Sequence, residues 1–382
     1  MKITVVCDVL GAENNGTTVA AMNLIRSLRE KNHDVTVVCP DEERKGESGY
    51  VAVEPINFGI LNNYVKSNGV CIARPDDDSL EKAITGSDVV HLVTPFFLAS
   101  HALKIAQSMG IPVTASFHCQ AENLTNHLRV MNSRIANRKT YKVFYDTIYS
   151  RCTAVHYPTE FIREVFEESV GHKTNAYVIS NGVSKRFCRR SVEKPQEMKD
   201  KTVILFTGRY SREKSHSVLI NAVLASRYSD KIQLIFAGAG PLEQKLRKQA
   251  EKLPVFPEFK FFSREEMLDV LNYSDLYVHP AEIEIEAIAC LEAITCGLVP
   301  VISDSPRSAT RFFAMGERNL FRCNDPTSLA ERIDWWIEHP AEKEECRKEY
   351  EGFAKQFDQD ICMDMMERML KEAAATRVCA HE

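Results

Sequence analysis

The chain has 382 residues, a formal net charge of −5, and 44% hydrophobic and 26% charged side chains. That length exceeds one ordinary hydrophobic core and suits two domains of roughly 150 to 200 residues each. The composition excludes a long disordered arm, and the acidic balance gives no reason to expect nucleic acid as a partner.

The 12 cysteines are scattered from Cys7 to Cys379 with no CxxC pair and no His/Cys ligand spacing, so they read as reduced core thiols. Met1-Lys-Ile-Thr-Val-Val-Cys-Asp8 runs straight into a strand-like segment without an apolar leader, which reads as an unprocessed, cytoplasmic chain. Val89 to Ala99, the longest apolar stretch, is broken by His91, Thr94 and Pro95. It falls far short of the roughly 18 residues a membrane span needs, so membrane contact is expected to be peripheral.

In chain order, Lys2 to Val9 is a β-branched run, Thr17 to Lys31 repeats apolar residues at helical spacing, and Asp34 to Cys39 is β-branched again. This predicts a βαβ unit. Strand-like runs at Val89 to Val93, Val113 to Phe117, Ala154 to Tyr157 and Tyr177 to Ile179, separated by helical patterns, extend it into a parallel sheet. After Asn181-Gly-Val183 the pattern gives way to a polar, basic stretch, Ser184 to Lys201. A second α/β pattern then begins: strand Thr202 to Thr207, helix Ser217 to Arg227, strand Gln233 to Ala237 and helix Pro241 to Lys252.

Ser263-Arg-Glu-Glu266 has the spacing of a capping box and should open a helix through Leu271, ahead of strand Leu276 to His279. Helix Ile285 to Cys296, stopped by Gly297, and strand Val299 to Ser303 follow. Ile361 to Ala374 is a Met-rich amphipathic helix. The expected architecture is α/β, two doubly wound parallel sheets, with domains 1–180 and 181–357 and a C-terminal helix in 358–382 packing back on the first.

Ligands of such sheets bind beyond the carboxyl ends of the strands, so the loops there carry the chemistry. The first, Leu10-Gly-Ala-Glu-Asn-Asn-Gly16, opens a helix whose N–H groups suit an anion. It lacks the GxGxxG spacing, and a turn exploiting the backbone freedom of Gly16 also explains it. Thr207-Gly-Arg-Tyr-Ser-Arg-Glu-Lys214 is the equivalent loop of the second domain, where Arg209 and Lys214 suit a pyrophosphate; a pair of solvated basic side chains near a helix start explains them equally well. Glu284 and Glu292 stand eight residues apart in His279-Pro-Ala-Glu-Ile-Glu-Ile-Glu286 and the apolar segment after it. On one helix that spacing is about 12 Å, enough for one carboxylate to reach a sugar and the other a ribose. The alternating Glu282, Glu284 and Glu286 also fit a solvated acidic edge.

Gly208-Arg209 with Glu213-Lys214, Gly238-Ala-Gly240-Pro-Leu, the Asp275 to Pro280 strand and the Glu284-x7-Glu292 element together resemble the retaining glycosyltransferases of family 4, which share the two-domain GT-B fold. The resemblance covers nearly the whole chain. It implies that Arg209 and Lys214, with the Gly16 loop, hold the diphosphate of a nucleotide-sugar donor, cations doing the work of a metal. It further implies that Glu284 contacts the transferred sugar, that Glu292 binds the nucleotide ribose, and that His118 lies close to the reacting centre. No cofactor is implied; the donor is a UDP-sugar by family frequency, UDP-glucose first. The family reads Glu-Gly-Phe-Gly where this chain has Glu284-Ile-Glu-Ala287, so two glycines are missing beside the sugar pocket.

Asp76-Asp77-Asp78 suggests Asp-x-Asp metal ligation, but Asp77 or Asp78 as a helix cap explains it more simply, and no metal is expected. Between Arg129 and Arg151, Arg134, Arg138, Lys139 and Lys142 interleave with Tyr141, Phe144, Tyr145 and Tyr149. Such a helix suits an anionic membrane surface, as in family members that glycosylate diacylglycerol or phosphatidylinositol; an ordinary amphipathic helix with its aromatics in the core is the plainer explanation. The acceptor is thus expected to be a lipid, with a cell-surface glycan as the alternative. A silent nucleotide-sugar-binding relative is the alternative from another class, opposed by retention of His118, Arg209, Lys214 and Glu292.

Overall fold

The structure is a computed structural model and describes residues 1–10, 16–57, 59, 62, 71–127 and 130–379. Its contacts divide the chain into two units: Met1–Asn181 together with the C-terminal segment from Asp360, and Gly182–Gln359.

In the first unit the β-branched runs form β1 (Lys2–Val6), β2 (Asp34–Cys39), β4 (Val89–Leu92), β5 (Val113–Ser116), β6 (Ala154–Tyr157) and β7 (Ala176–Val178), with a short β3 (Tyr50–Ala52) at one edge. Branched side chains favour the pleated, doubly covered surface, and β4, β5 and β6 are buried at every position. Spatial order is β3-β2-β1-β4-β5-β6-β7. All neighbours are parallel, with Ile3 opposite Val35 on one side and Val89 on the other. The order reverses between β1 and β4. There Asp8, fully buried, accepts from the backbone N–H groups of Leu98 (2.7 Å) and Ala99 (3.3 Å), tying the end of β1 to the start of the Phe97–Ser108 helix.

The Met-rich periodicity is realised as the Gln359–Cys379 helix. Its Cys362, Met363, Met366, Met369 and Leu370 join Ile3, Val5, Ile25 and Leu28 in the first unit's core. Each such Met or Leu contributes about 1.5–3 kcal/mol of burial. At the rim Glu367 takes Lys31 (3.2 Å) and His33 Nε2 (2.8 Å), and the Tyr177 hydroxyl donates to Glu372 (2.7 Å).

The second unit contains β8 (Thr202–Thr207), β9 (Ile232–Ala237), β10 (Glu258–Lys260), β11 (Leu276–His279), β12 (Pro300–Asp304) and β13 (Leu320–Arg322). They lie in the order β10-β9-β8-β11-β12-β13, parallel throughout, so the order reverses between β8 and β11. The capping box forms: Ser263 Oγ accepts from Glu266 N (3.3 Å) and Glu266 accepts from Ser263 N (2.8 Å), opening the Arg264–Tyr273 helix.

Several expectations are corrected. The first strand stops at Val6 because Asp8 turns inward to its helix rather than continuing the ladder. Gly16 begins the Gly16–Glu30 helix and is not among the positive-φ glycines, so backbone freedom is not its role; residues 11–15 of that loop lie outside the described residues. The cap of the Asp77–Ile84 helix is Asp76, not Asp77 or Asp78: its carboxylate accepts from Ser79 N (3.5 Å) and Ser79 Oγ (2.7 Å). Asp77 bonds His101 instead, at 2.7 Å.

Candidate functional site

Of the residues expected at the donor, Arg209, Lys214, Glu284 and Glu292 belong to the second unit, whose strand order reverses beside the β8 loop, the place at which open α/β sheets bind ligands, while Gly16 belongs to the first. The loops after β8 and β9 are laid directly against each other. Gly208 N donates to Ala237 O (2.9 Å), Tyr210 N to Ala239 O (2.9 Å) and Leu242 N to Tyr210 O (3.1 Å). A Cβ on Gly238 would stand 2.1 Å from Gly208 O, and one on Gly240 would stand 2.7 Å from Tyr210 N, so this approach is open to glycine alone.

The β8 loop then makes one 3-10 turn, Arg212–Lys214, and Ser215 at φ 52° releases the chain into the His216–Ala225 helix. Arg209 Nη2 donates to Glu213 Oε1 (3.1 Å), and the Ser211 hydroxyl donates to the same oxygen (2.5 Å). Glu213 O accepts from Glu282 N (2.8 Å), which fastens this loop to the one after β11.

Lys214 Nζ reaches across the reversal to bond Glu284 Oε1 directly, and His279 Nε2 lies 3.1 Å from that oxygen. An ionised carboxylate only accepts, so His279 donates through Nε2 and its Nδ1 accepts from the Tyr277 hydroxyl at 3.2 Å. Burial pushes the Glu284 carboxyl up, but Lys214 and His279 outweigh it and hold it at about 2. Glu213 is likewise held low: burial raises it, and Ser211 and Arg209 prevail. Glu292 goes the other way, raised by its apolar surroundings to about 8 with Arg264 opposing.

Glu284 and Glu292 do not share a helix. The helix is Ile288–Thr295, so only Glu292 is on it, and the axial 12 Å argument does not apply. Glu284 stands in extended backbone, bridged to Ser308, with its carbonyl accepting from Ala309 N (2.9 Å). The helix starts late because Ala287 sits at φ 63°, ψ 60°, a left-handed conformation that Ala takes where the family has its second glycine. The alternating acids are not a solvated edge either. Glu282 pairs with Arg307, Glu284 with Lys214, and Glu286 is 4% exposed. His279 and Arg307 were given no role from sequence; the His279-Pro280 strand end was the signal available for the first.

His118 belongs to the first unit, just past β5, where it lines a small cavity with His91, Ser116, His156, Met363 and Met366. The Arg134–Thr147 helix of that unit buries Tyr141 against Phe117 and Phe166 and Phe144 against Phe96, and Tyr149 joins the first cluster. These three aromatics are therefore core, while Tyr145 is half-buried and stacks on His172. Arg134, Arg138, Lys139 and Lys142 are all exposed, with Ile135 (72%) and Val143 (57%) among them; Arg129 lies outside the described residues. Among the described residues no three His, Cys, Asp or Glu side chains are placed to hold a metal ion, and no helix is long and apolar enough to cross a membrane.

Two Rossmann-like sheets, the second carrying a cationic loop paired to a buried carboxylate at its reversal point, are the architecture of the GT-B glycosyltransferases. Residues 14–187 match the model "Glycosyltransferase Family 4" and residues 189–352 match "Glycosyl transferases group 1". The chain belongs to glycosyltransferase family 4 and is a glycosyltransferase.

It is 24% identical to a GDP-mannose-dependent alpha-mannosyltransferase of Corynebacterium glutamicum over 96% of this chain and 88% of that protein. It is 23% identical to alpha-monoglucosyldiacylglycerol synthase of Streptococcus pneumoniae, over 56% of this chain and 51% of that protein. Among solved structures, Anabaena Alr3699/HepE in complex with UDP-glucose shares the fold with a TM-score of 0.76 and 15% identity, over 97% of this chain and 100% of that one.

Proposed function

We propose that the chain is a retaining, metal-independent transferase. It moves a hexose, first glucose from UDP-glucose, to a lipid acceptor such as diacylglycerol at an anionic membrane surface. The observation that carries the donor half is the Lys214–Glu284–His279 cluster with Arg209 beside it. Lys214 and Arg209 meet the charge that develops on the departing diphosphate, in a setting of low dielectric where such contacts act strongly. Glu284 is already committed to a lysine and a histidine, which favours orienting the sugar over attacking it. The acceptor hydroxyl then attacks from the face the nucleotide leaves, through a short-lived ion pair, and the leaving phosphate takes its proton. Glu292 serves the ribose.

The acceptor half is supported by the Streptococcus pneumoniae relative, named for diacylglycerol, and by the exposed cations and aliphatics of the Arg134–Thr147 helix. The Corynebacterium glutamicum relative favours a second donor reading, GDP-mannose. The test is release of nucleoside diphosphate from UDP- and GDP-sugars, with and without anionic liposomes containing diacylglycerol. Release that needs one donor and the lipid supports the reading. Release that ignores the lipid but responds to oligosaccharides moves the acceptor to a glycan, and no release with any donor sinks the proposal.

A further inference from the structure

Beneath His118, strands β4, β5 and β6 place four polar side chains in cross-strand register: His91 opposite Thr114 and Ser116 opposite His156. All four are at most 2% exposed. They form one chain of hydrogen bonds, Thr114 Oγ1 to His91 Nδ1 (2.9 Å), His91 Nε2 to Ser116 Oγ (2.9 Å), Ser116 Oγ to His156 Nδ1 (2.8 Å) and His156 Nε2 to Ile179 O (2.7 Å).

The last link fixes the direction of all the others. A carbonyl only accepts, so His156 carries its proton on Nε2 and, as a neutral ring, accepts at Nδ1. Ser116 therefore donates to His156 and must receive from His91 Nε2–H, which leaves His91 Nδ1 to accept from Thr114. Each bond is satisfied once. A second proton on His156 would point two N–H groups at Ser116 and strip its hydroxyl hydrogen of that partner. Burial agrees, holding His91 down at about 3 and His156 at about 4.

Because the chain ends on a backbone carbonyl, it cannot pass a proton along. It acts as a strut. With both nitrogens of His156 engaged, that ring meets His118 without a free donor or acceptor, centroid to centroid 5.7 Å and tilted 72°. The titratable groups facing His118 are His156 and His91; Leu24, Val93, Met363 and Met366 supply apolar wall to the same cavity.

We propose that Thr114, His91, Ser116 and His156 form a neutral strut that fixes the ring of His118 for its contact with the transferred sugar, which makes His156 a positioning residue for the reaction. The inference rests on the reading that His118 faces the reacting sugar, so the test separates the two. His118→Ala, His156→Phe and Ser116→Ala are made in the full chain, and kcat and donor KM are measured.

His118→Ala is expected to lose about a hundredfold in kcat. His156→Phe is expected to lose about tenfold or more in kcat with donor KM nearly unchanged. A part in stability alone would lower the melting temperature and leave kcat of the folded enzyme where it was. Ser116→Ala removes one hydroxyl and decides the matter in the same way if His156→Phe does not fold. Full turnover in His118→Ala overturns the donor-site reading itself. Impaired His118→Ala, beside folded strut variants with unaltered kcat, overturns the strut alone.

Discussion

Neutralising Glu284 should improve diphosphate binding while damaging turnover. In the unliganded site the Lys214 charge is already answered by Glu284, so an incoming diphosphate competes with that carboxylate. Lys214 and His279 hold the Glu284 carboxyl at about 2 against the burial that pushes it up, so the pairing is favourable on balance. A hydrogen bond to a charged group contributes about 1.5–3 kcal/mol, so at the low end Glu284→Gln frees enough for about tenfold tighter UDP binding. The same change removes the charge that orients the sugar, and turnover should fall about a hundredfold. Calorimetry with UDP and steady-state rates on the same preparation read both effects. Weaker or unaltered UDP binding would refute the reasoning, since it would mean that Lys214 is not held by Glu284 in solution.

Ala287→Gly should leave stability within about 0.5 kcal/mol, because relief of the left-handed strain, about 1–2 kcal/mol, offsets the lost methyl and the added chain entropy. Urea denaturation would show otherwise if the change cost more than about 1 kcal/mol. Acid should weaken the fold through its buried histidines, while Glu292 and Asp8, raised by burial to about 8 and about 7, act in the opposite sense as pH falls. His91, His156 and His216 have folded values of about 3 to 4, set by burial, below the ordinary 6.5, so their contribution is complete above 6.5 and is lost as pH falls towards those values. Each costs about 1.4 kcal/mol per pH unit there, so the fall in urea midpoint from about pH 7 to 5, at unaltered m-value, should be smaller in His216→Phe than in the unmodified chain; an equal fall counts against neutral burial. Replacing Arg134, Arg138, Lys139 and Lys142 by Glu should abolish sedimentation with anionic liposomes, and unaltered sedimentation removes the membrane argument.

The two long sheets were legible because Val-, Ile- and Thr-rich runs such as Asp34–Cys39 and Thr202–Thr207 are doubly covered and need no alternation. Strands β3, β10 and β13, three residues each, were not, although β7 of the same length was found in the run Tyr177 to Ile179; β10 and β13 hold one or two apolar residues beside a charge. At the site, Arg209, Lys214 and Glu284 could be named from their neighbours in the chain. The contact that joins Lys214 to Glu284 spans 70 residues and depends on strand order. The helix start was misplaced because nothing in Ile285-Glu-Ala287 announces a left-handed alanine. In the Arg134–Thr147 helix the sequence mixes cations and aromatics, and only packing assigns Tyr141, against Phe117 and Phe166, and Phe144, against Phe96, to the core. The histidine strut is invisible in sequence, because a one-residue slip between β4, β5 and β6 would abolish it.

The central claim is that protein cations at this site, Lys214 above all, do the work of a metal on the departing diphosphate. Its most direct test is UDP-glucose turnover in EDTA with diacylglycerol liposomes, for the unmodified enzyme and for Lys214→Ala side by side. The account predicts undiminished turnover in EDTA for the first and a loss of about a hundredfold or more for the second. Turnover that EDTA abolishes and added magnesium restores, or a fully active Lys214→Ala, would contradict it.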